Sequence, residues 1–233
     1  MSDVILDIKN VYKSYGDNDV LKNVSFSVRQ NRIVGLLGPN GSGKTTLIKI
    51  ISGLLSDYSG RAEICGMAPC VETKALVSYL PDRMSLPEWM TVKSSLRMFA
   101  DFFADFDTER AREMLGTLGV SHDKRIGQLS KGMKEKLQLC LCMSRRAKLY
   151  VLDEPIAGVD PAARNVIMST ILSNFGEGSS ILLSTHIISD VEQIFDDVIL
   201  LREGRVELMG DAEELRREHG KSIDQLFREV FKC

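Results

Sequence analysis

The sequence predicts an α/β protein whose core is a mostly parallel, doubly wound sheet, with an antiparallel β region before it and a helical block inserted into it. Three observations lead there. The first thirty residues carry strand patterns, with Val24, Phe26 and Val28 alternating with Ser25, Ser27 and Arg29. Short apolar strands at 149–152 and 181–184 alternate with helical spacing, the pattern of βαβ units. Between about Thr91 and Arg146 no strand signal is present, and apolar residues fall three and four apart.

In chain order, Tyr15-Gly16-Asp17-Asn18-Asp19 reads as a turn between two strands. Arg32–Leu37 is a short apolar strand, a glycine-rich loop follows, and Thr45–Leu55 has helical spacing. In the helical block, Leu96, Phe99, Phe103 and Phe106 form one apolar stripe, expected to be core packing. Met114, Leu115 and Leu118 continue it on a second helix, and a third starts after Ser130 with Met133, Leu137 and Leu141. Val198–Leu201 and Arg205–Met209 flank Glu203-Gly204 as a closing hairpin. From Asp211 a charged helix and a shorter amphipathic one end the chain. No internal repeat or low-complexity linker is present.

Composition narrows the function. The 233 residues hold 30 Lys+Arg against 32 Asp+Glu, a formal charge of -2. That balance gives no electrostatic footprint for nucleic acid, whose binders carry a basic surplus. No apolar run approaches the roughly 20 residues of a membrane helix, and MSDVILDIKN has no signal-peptide design. A cytoplasmic protein is expected, with any membrane role supplied by a partner. The five cysteines, at 65, 70, 140, 142 and 233, include no C-x-x-C pair, so reduced, mostly buried thiols are expected. His122 and His219 are expected to face solvent.

The strongest chemical signal is Gly38-Pro39-Asn40-Gly41-Ser42-Gly43-Lys44-Thr45, followed by Thr46. It satisfies G-x-x-x-x-G-K-[ST] between a strand and a helix. Glycines let the backbone wrap a phosphate with its N–H groups inward, and the following helix adds its positive end. Lys44 is expected to reach the β- and γ-phosphates of a nucleoside triphosphate, and the Thr45 hydroxyl to ligate magnesium. A second signal is Leu149-Tyr150-Val151-Leu152-Asp153-Glu154-Pro155, where two carboxylates stand at the C-terminal tip of a buried strand. Asp153 is expected to hold magnesium and Glu154 to polarise the attacking water.

Leu129-Ser130-Lys131-Gly132-Met133, Gly158-Val159-Asp160-Pro161 and Ser184-Thr185-His186 complete the set. In content and order, this set resembles the ATP-binding subunit of an ABC transporter over essentially the whole chain, with a softer likeness to bacterial export-type systems. The resemblance implies a P-loop NTPase (RecA-like) fold, an ATP-binding core of about 1–82 and 147–233, and a helical subdomain of about 83–146. It implies that Tyr15 stacks on adenine and that His186 is the switch histidine. Ser130, Lys131, Gly132 and Met133 form the signature that serves the nucleotide of a second subunit, with Asp160 in the D-loop. ATP and Mg2+ are the implied cofactors, and the implied partners are a second ATPase subunit, homo- or heterodimeric, and a separate polytopic permease. Both catalytic carboxylates are present, so a magnesium-dependent ATPase is expected.

Two departures stand out. Asp82 occupies the place after Ser78-Tyr79-Leu80-Pro81 where the family usually has glutamine. An aspartate is shorter and charged, and reaches magnesium only if its loop moves closer. In the signature, Met133 stands where glutamine is commonest and Lys131 where glycine is, the lysine either adding charge near the partner's nucleotide or facing solvent, the latter preferred. A permease helix is expected to dock between the subdomains, and Arg83–Met90, with Met84, Leu86, Trp89 and Met90, is the candidate surface. Trp89 reads equally as an internal anchor. Two other functions compete with transport: an ABC-type ATPase acting on ribosomes or DNA, and a nucleotide-sensing regulator. The first usually carries paired ATPase units or long coiled coils, and neither is found.

Overall fold

The structure is a computed structural model that describes residues 3–83, 85–157, 159 and 161–231, with residues 161–163 described by their backbone alone. Its N-terminal layer is an antiparallel hairpin, β1 (Val4–Tyr15) and β2 (Asn18–Arg29), joined by Gly16-Asp17. A third strand, β4 (Ser59–Ile64), pairs with the other edge of β1. Sequence pattern alone did not predict β4. Its first three residues, Ser59, Gly60 and Arg61, are exposed and only Ala62 and Ile64 reach the core, too short an alternation to stand out before the strand pairs with β1.

The second sheet has the order β5-β6-β7-β3-β8-β9. β5 (Val77–Leu80), β6 (Leu149–Asp153), β7 (Ser180–Thr185), β3 (Ile33–Leu37) and β8 (Asp197–Arg202) run parallel. β9 (Arg205–Asp211) closes the edge antiparallel to β8 through Glu203-Gly204, both at positive φ. β3, β6 and β7 are buried along their whole length, which is why they read as unbroken apolar runs.

Helices cover both faces. On β3 the two-residue period divides the side chains. Val34 and Leu36 join α1 (Lys44–Ile51) and the antiparallel layer in one core. Ile33 and Leu37 join the other core, which runs through the inserted helices to the C-terminal ones. The insert holds α3 (Val92–Phe102), α4 (Thr108–Leu118) and α5 (Lys131–Met143), and among its described residues no strand longer than an isolated bridge. Each starts on a side-chain cap: Thr91 accepts from Ser94 N, Asp107 from Arg110 N, and Ser130 from Met133 N. The Phe99 ring lies 5.5 Å from Phe103 and 5.7 Å from Phe106, so the aromatic stripe is packing. The short α2 (Val71–Leu76) precedes β5, α6 (Pro161–Asn174) links β6 to β7, and α7 (Ala212–His219) and α8 (Ile223–Phe231) close the chain.

One buried arginine ties the insert to the sheet. Arg145, 3% exposed, donates from Nε to both carboxylate oxygens of Asp105 and from its terminal nitrogens to the carbonyls of Lys74, Ala75 and Val77. Its guanidinium also stacks 4.0 Å from the Phe103 ring centroid. Of the cysteines, Cys140 and Cys142 are buried, Cys70 is half-buried and Cys65 is exposed; Cys233 lies outside the described residues. Burial pushes the thiols of Cys140 and Cys142 up to about 12, the direction that makes them inert. His219 is exposed as expected, whereas His122 is half-buried. Among the described residues no helix is long and apolar enough to cross a membrane.

Candidate nucleotide site

The parallel sheet brings the separated motifs together because their strands end at one edge. β3 runs into the glycine loop, β6 ends in Asp153, and β7 ends beside His186. Two glycines make the loop possible. Gly43 caps α1 at φ 109, where a Cβ would also lie 2.8 Å from the Leu21 side chain. At Gly38 a Cβ would lie 2.4 Å from the Leu201 carbonyl, so the backbone passes closer to β8 than any side chain permits.

Lys44 curls back over this loop. Its Nζ donates to the carbonyls of Gly38 (2.7 Å) and Pro39 (3.2 Å) and lies 3.3 Å from Glu154 Oε1. Asp153 is fully buried: its Oδ1 accepts from Ser184 Oγ at 2.6 Å and from Thr45 Oγ1 at 3.4 Å. Burial holds the Asp153 carboxyl above the usual carboxylate range, the two hydroxyl donors oppose that, and the charges of Glu154 and Asp82 add to it.

Glu154 has positive φ, 53°, a conformation that costs a non-glycine residue about 1–3 kcal/mol and persists only where neighbours impose it. The neighbour is Ser184, whose carbonyl and Oγ both accept from Glu154 N, at 3.1 and 3.0 Å. This turn aims the carboxylate at His186, whose Nδ1 lies 2.9 Å from Glu154 Oε2. Ser184 therefore holds both acidic residues, a role that the sequence reading missed. The register pair Asp153↔Ser184 between β6 and β7 creates it, and nothing in the linear sequence encodes that register.

Lys44, Thr45, Thr46, Asp82, Glu154 and His186 all face a cleft of about 480 Å³, with Asn40, Gly41 and Gly43 in its wall. Four buried side-chain oxygens have no hydrogen-bond partner among the described residues, and three belong to this site: Ser42 Oγ, Asp153 Oδ2 and Glu154 Oε1, the last held only by its ion pair with Lys44. Buried polar atoms are almost always partnered, so such a concentration marks a place built for a ligand. The donor set is hydroxyl and carboxylate oxygen, which suits a hard cation held partly by phosphate. Among the described residues no three histidine, cysteine or acidic side chains form a metal cage by themselves.

The other expected residues fall elsewhere. Tyr15 is half exposed at the end of β1 and is not in the cleft wall, although its register partner Asn18 and nearby Val20 are. Ser130, Lys131, Gly132 and Met133 open α5 away from the cleft. Lys131 is exposed and lies 3.9 Å from Glu135. Asp82 stands at the cleft with half its side chain exposed, 4.0 Å from Arg83 Nε. Gly158, Asp160 and Met84 lie outside the described residues. Trp89 is 73% exposed, so it is not an internal anchor, whereas Leu86 and Met90 pack on the core. Where α3 meets β5, a smaller, mostly apolar groove of about 250 Å³ is lined by Leu54, Lys74, Tyr79, Phe99, Phe103 and Arg145.

The family profile described as ABC transporter matches residues 21–157. The chain is 33% identical over 240 residues to the ABC-type transporter ATP-binding protein EcsA of Bacillus subtilis (strain 168), covering 98% of this chain and 97% of that one. It is 34% identical over 214 residues to the Nod factor export ATP-binding protein I of Burkholderia orbicola (strain AU 1054), covering 88% and 70%. A solved structure of the ATP-binding subunit of an ABC transporter superposes with a TM-score of 0.87 at 30% identity, over 97% of this chain and 99% of that chain.

Proposed function

Because the chain belongs to the ABC transporter family, we propose that it is the ATP-hydrolysing motor subunit of a transporter whose membrane-spanning part is a separate chain. The single observation that carries the reading is the network joining Lys44, Asp153, Glu154, Ser184 and His186 around the P-loop cleft. Lys44 leaves its loop carbonyls for the β- and γ-phosphates of ATP, and Ser42 Oγ supplies a further donor. Thr45 and Asp153 hold magnesium, which when bound neutralises phosphate charge. Glu154 orients the attacking water and takes its proton, while His186 steadies that carboxylate and contacts the γ-phosphate. Tyr15 stacks on adenine at the mouth of the cleft beside Asn18 and Val20.

Ser130, Lys131, Gly132 and Met133, which lie away from this cleft, serve the nucleotide of a second subunit, with Met133 partly packed on the core. The capped start of α5 offers backbone donors and a positive helix end to that γ-phosphate. Asp160 belongs to the D-loop. ATP thus joins two copies and hydrolysis releases them, a two-state bias passed to the permease. Residues 83–146 act as the helical subdomain and the rest as the ATP-binding core. A permease helix fits the groove of Leu54, Tyr79, Phe99 and Phe103, with exposed Trp89 as a further contact. The subunit therefore sits on the cytoplasmic face of the cell membrane, and the Nod factor export relative supports export as the direction.

The test is hydrolysis by the purified chain. Phosphate release is expected with ATP and magnesium, and Lys44→Ala is expected to abolish it. Release that persists in Lys44→Ala would sink the assignment of the cleft.

A further inference from the structure

The first strand carries a lysine that the hydrolytic chemistry does not use. Lys13 is 5% exposed, although lysines are almost never fully buried unless paired. Its Nζ donates to Asp57 Oδ2 at 2.7 Å and lies 4.8 Å from the centroid of the Tyr15 ring. The strand period of two puts Lys13 and Tyr15 on one face of β1. Asp57 belongs to the loop between α1 and β4, so the lysine also ties the tyrosine to the segment that leaves the P-loop helix. The Tyr15 ring is 49% exposed, which leaves room for a second group to lie against it.

We infer that Lys13 is a positioning residue for the base-binding platform and that Asp57 holds it in place. The ammonium, attracted to the negative face of the ring, restricts the tyrosine to one orientation and leaves the opposite face for a purine. An exposed tyrosine at the end of a strand otherwise loses side-chain freedom on binding, and prior restriction lowers that cost. This inference rests on the proposed stacking of adenine by Tyr15. Its expected signature is a change in the contribution of the base and none in that of the phosphates, because Lys13 bonds to Asp57 rather than to any loop residue of the cleft.

The experiment compares binding of ATP and of inorganic tripolyphosphate, which has no base, to the parent chain and to Lys13→Met. Methionine keeps an unbranched apolar stem and removes the charge. Loss of this prior restriction of the Tyr15 side chain predicts ATP binding weaker by about three- to tenfold with tripolyphosphate unchanged. KM for ATP rises and kcat holds, as for any contact made equally in ground and transition states. Lys13→Arg, which restores a cation able to stack, is expected to recover most of the loss. Asp57→Ala, at an exposed position, is expected to act in the same direction and carries the test if Lys13→Met fails to fold. Equal weakening of ATP and tripolyphosphate, or a fall in Tm with no change in ATP binding, overturns the inference and leaves a merely structural ion pair. Tyr15→Ala separates the two levels. If it leaves ATP binding unchanged, the stacking reading falls and the Lys13 role falls with it. If it weakens ATP and Lys13→Met does not, only the Lys13 role falls.

Discussion

Replacing Glu154 by glutamine separates binding from chemistry at this site. The side chain is 11% exposed, its Oε2 lies 2.9 Å from His186 Nδ1, and its Oε1 lies 3.3 Å from Lys44 Nζ. Glutamine keeps the shape and one carbonyl oxygen, so it can still meet His186, but it can neither accept the proton of the attacking water nor hold Lys44 by charge. A positioned general base contributes roughly 10² to 10⁴ in rate, about 3–5 kcal/mol of barrier. Hydrolysis by Glu154→Gln is therefore expected to fall by that factor. Affinity for ATP is expected to hold or tighten, because the Lys44 ammonium loses a competing anion and the cleft loses a negative charge facing the phosphates. With binding intact and turnover stopped, two copies are expected to stay joined around ATP. Phosphate release, filter binding of labelled ATP and light scattering read the three quantities on one preparation. A variant that hydrolyses within about threefold of the parent refutes the base assignment, given the 10² to 10⁴ that such a base supplies. One that loses ATP binding by more than tenfold shows instead that Glu154 supports the fold of the site.

Asp153→Asn is expected to raise the Tm of the nucleotide-free protein at neutral pH while abolishing magnesium-dependent turnover. The buried Asp153 carboxyl has a raised pKa, so the folded state binds its proton more readily than the unfolded chain does. Stability then falls as pH rises through the window between the unfolded and the folded pKa, and the asparagine variant, measured by thermal unfolding against pH, lacks that fall. Arg145→Ala is expected to cost about 3–5 kcal/mol, because it leaves the half-buried Asp105 carboxylate unpaired and strands three carbonyl acceptors. Urea unfolding reads the loss, and Arg145→Lys, lacking the planar fork, recovers little of it. Mixing Lys44→Ala with Ser130→Arg tests the shared site. Each is expected to be inactive alone, and an equal mixture to regain about a quarter of parental hydrolysis, since half the dimers are mixed and each holds one intact site. No recovery means that signature and P-loop of one chain serve the same nucleotide.

Features set by contiguous residues were legible in the sequence. The glycine loop, Lys44 and Thr45 fall within eight positions, and β3, β6 and β7 announce themselves because both faces of each are buried. The hairpin turns were legible for the same local reason, since Gly16 and Gly204 both take positive φ. What escaped depends on neighbours distant in sequence. β4 owes its register to β1, and the role of Ser184 exists only because β7 lies beside β6. Arg145, one of two adjacent arginines after a helix, closes contacts 40 to 71 residues away. The helix expected over Thr45–Leu55 stops at Ile51, where Ser52 caps it and Gly53 takes φ 65°. Lys13 gives no signal in the sequence because Asp57 and the Tyr15 ring meet it only in the fold.

The central claim is that the energy of ATP leaves this chain through a membrane partner. It is tested most directly by affinity purification of the chain from its native membranes in mild detergent with ATP present. The expected result is a polytopic membrane protein at stoichiometric level, lost when Phe99 and Phe103 of the apolar groove are replaced by aspartate in a variant shown to be folded. Recovery of ribosomes or DNA-bound proteins with no membrane protein would contradict the transporter reading and leave the ATPase chemistry standing.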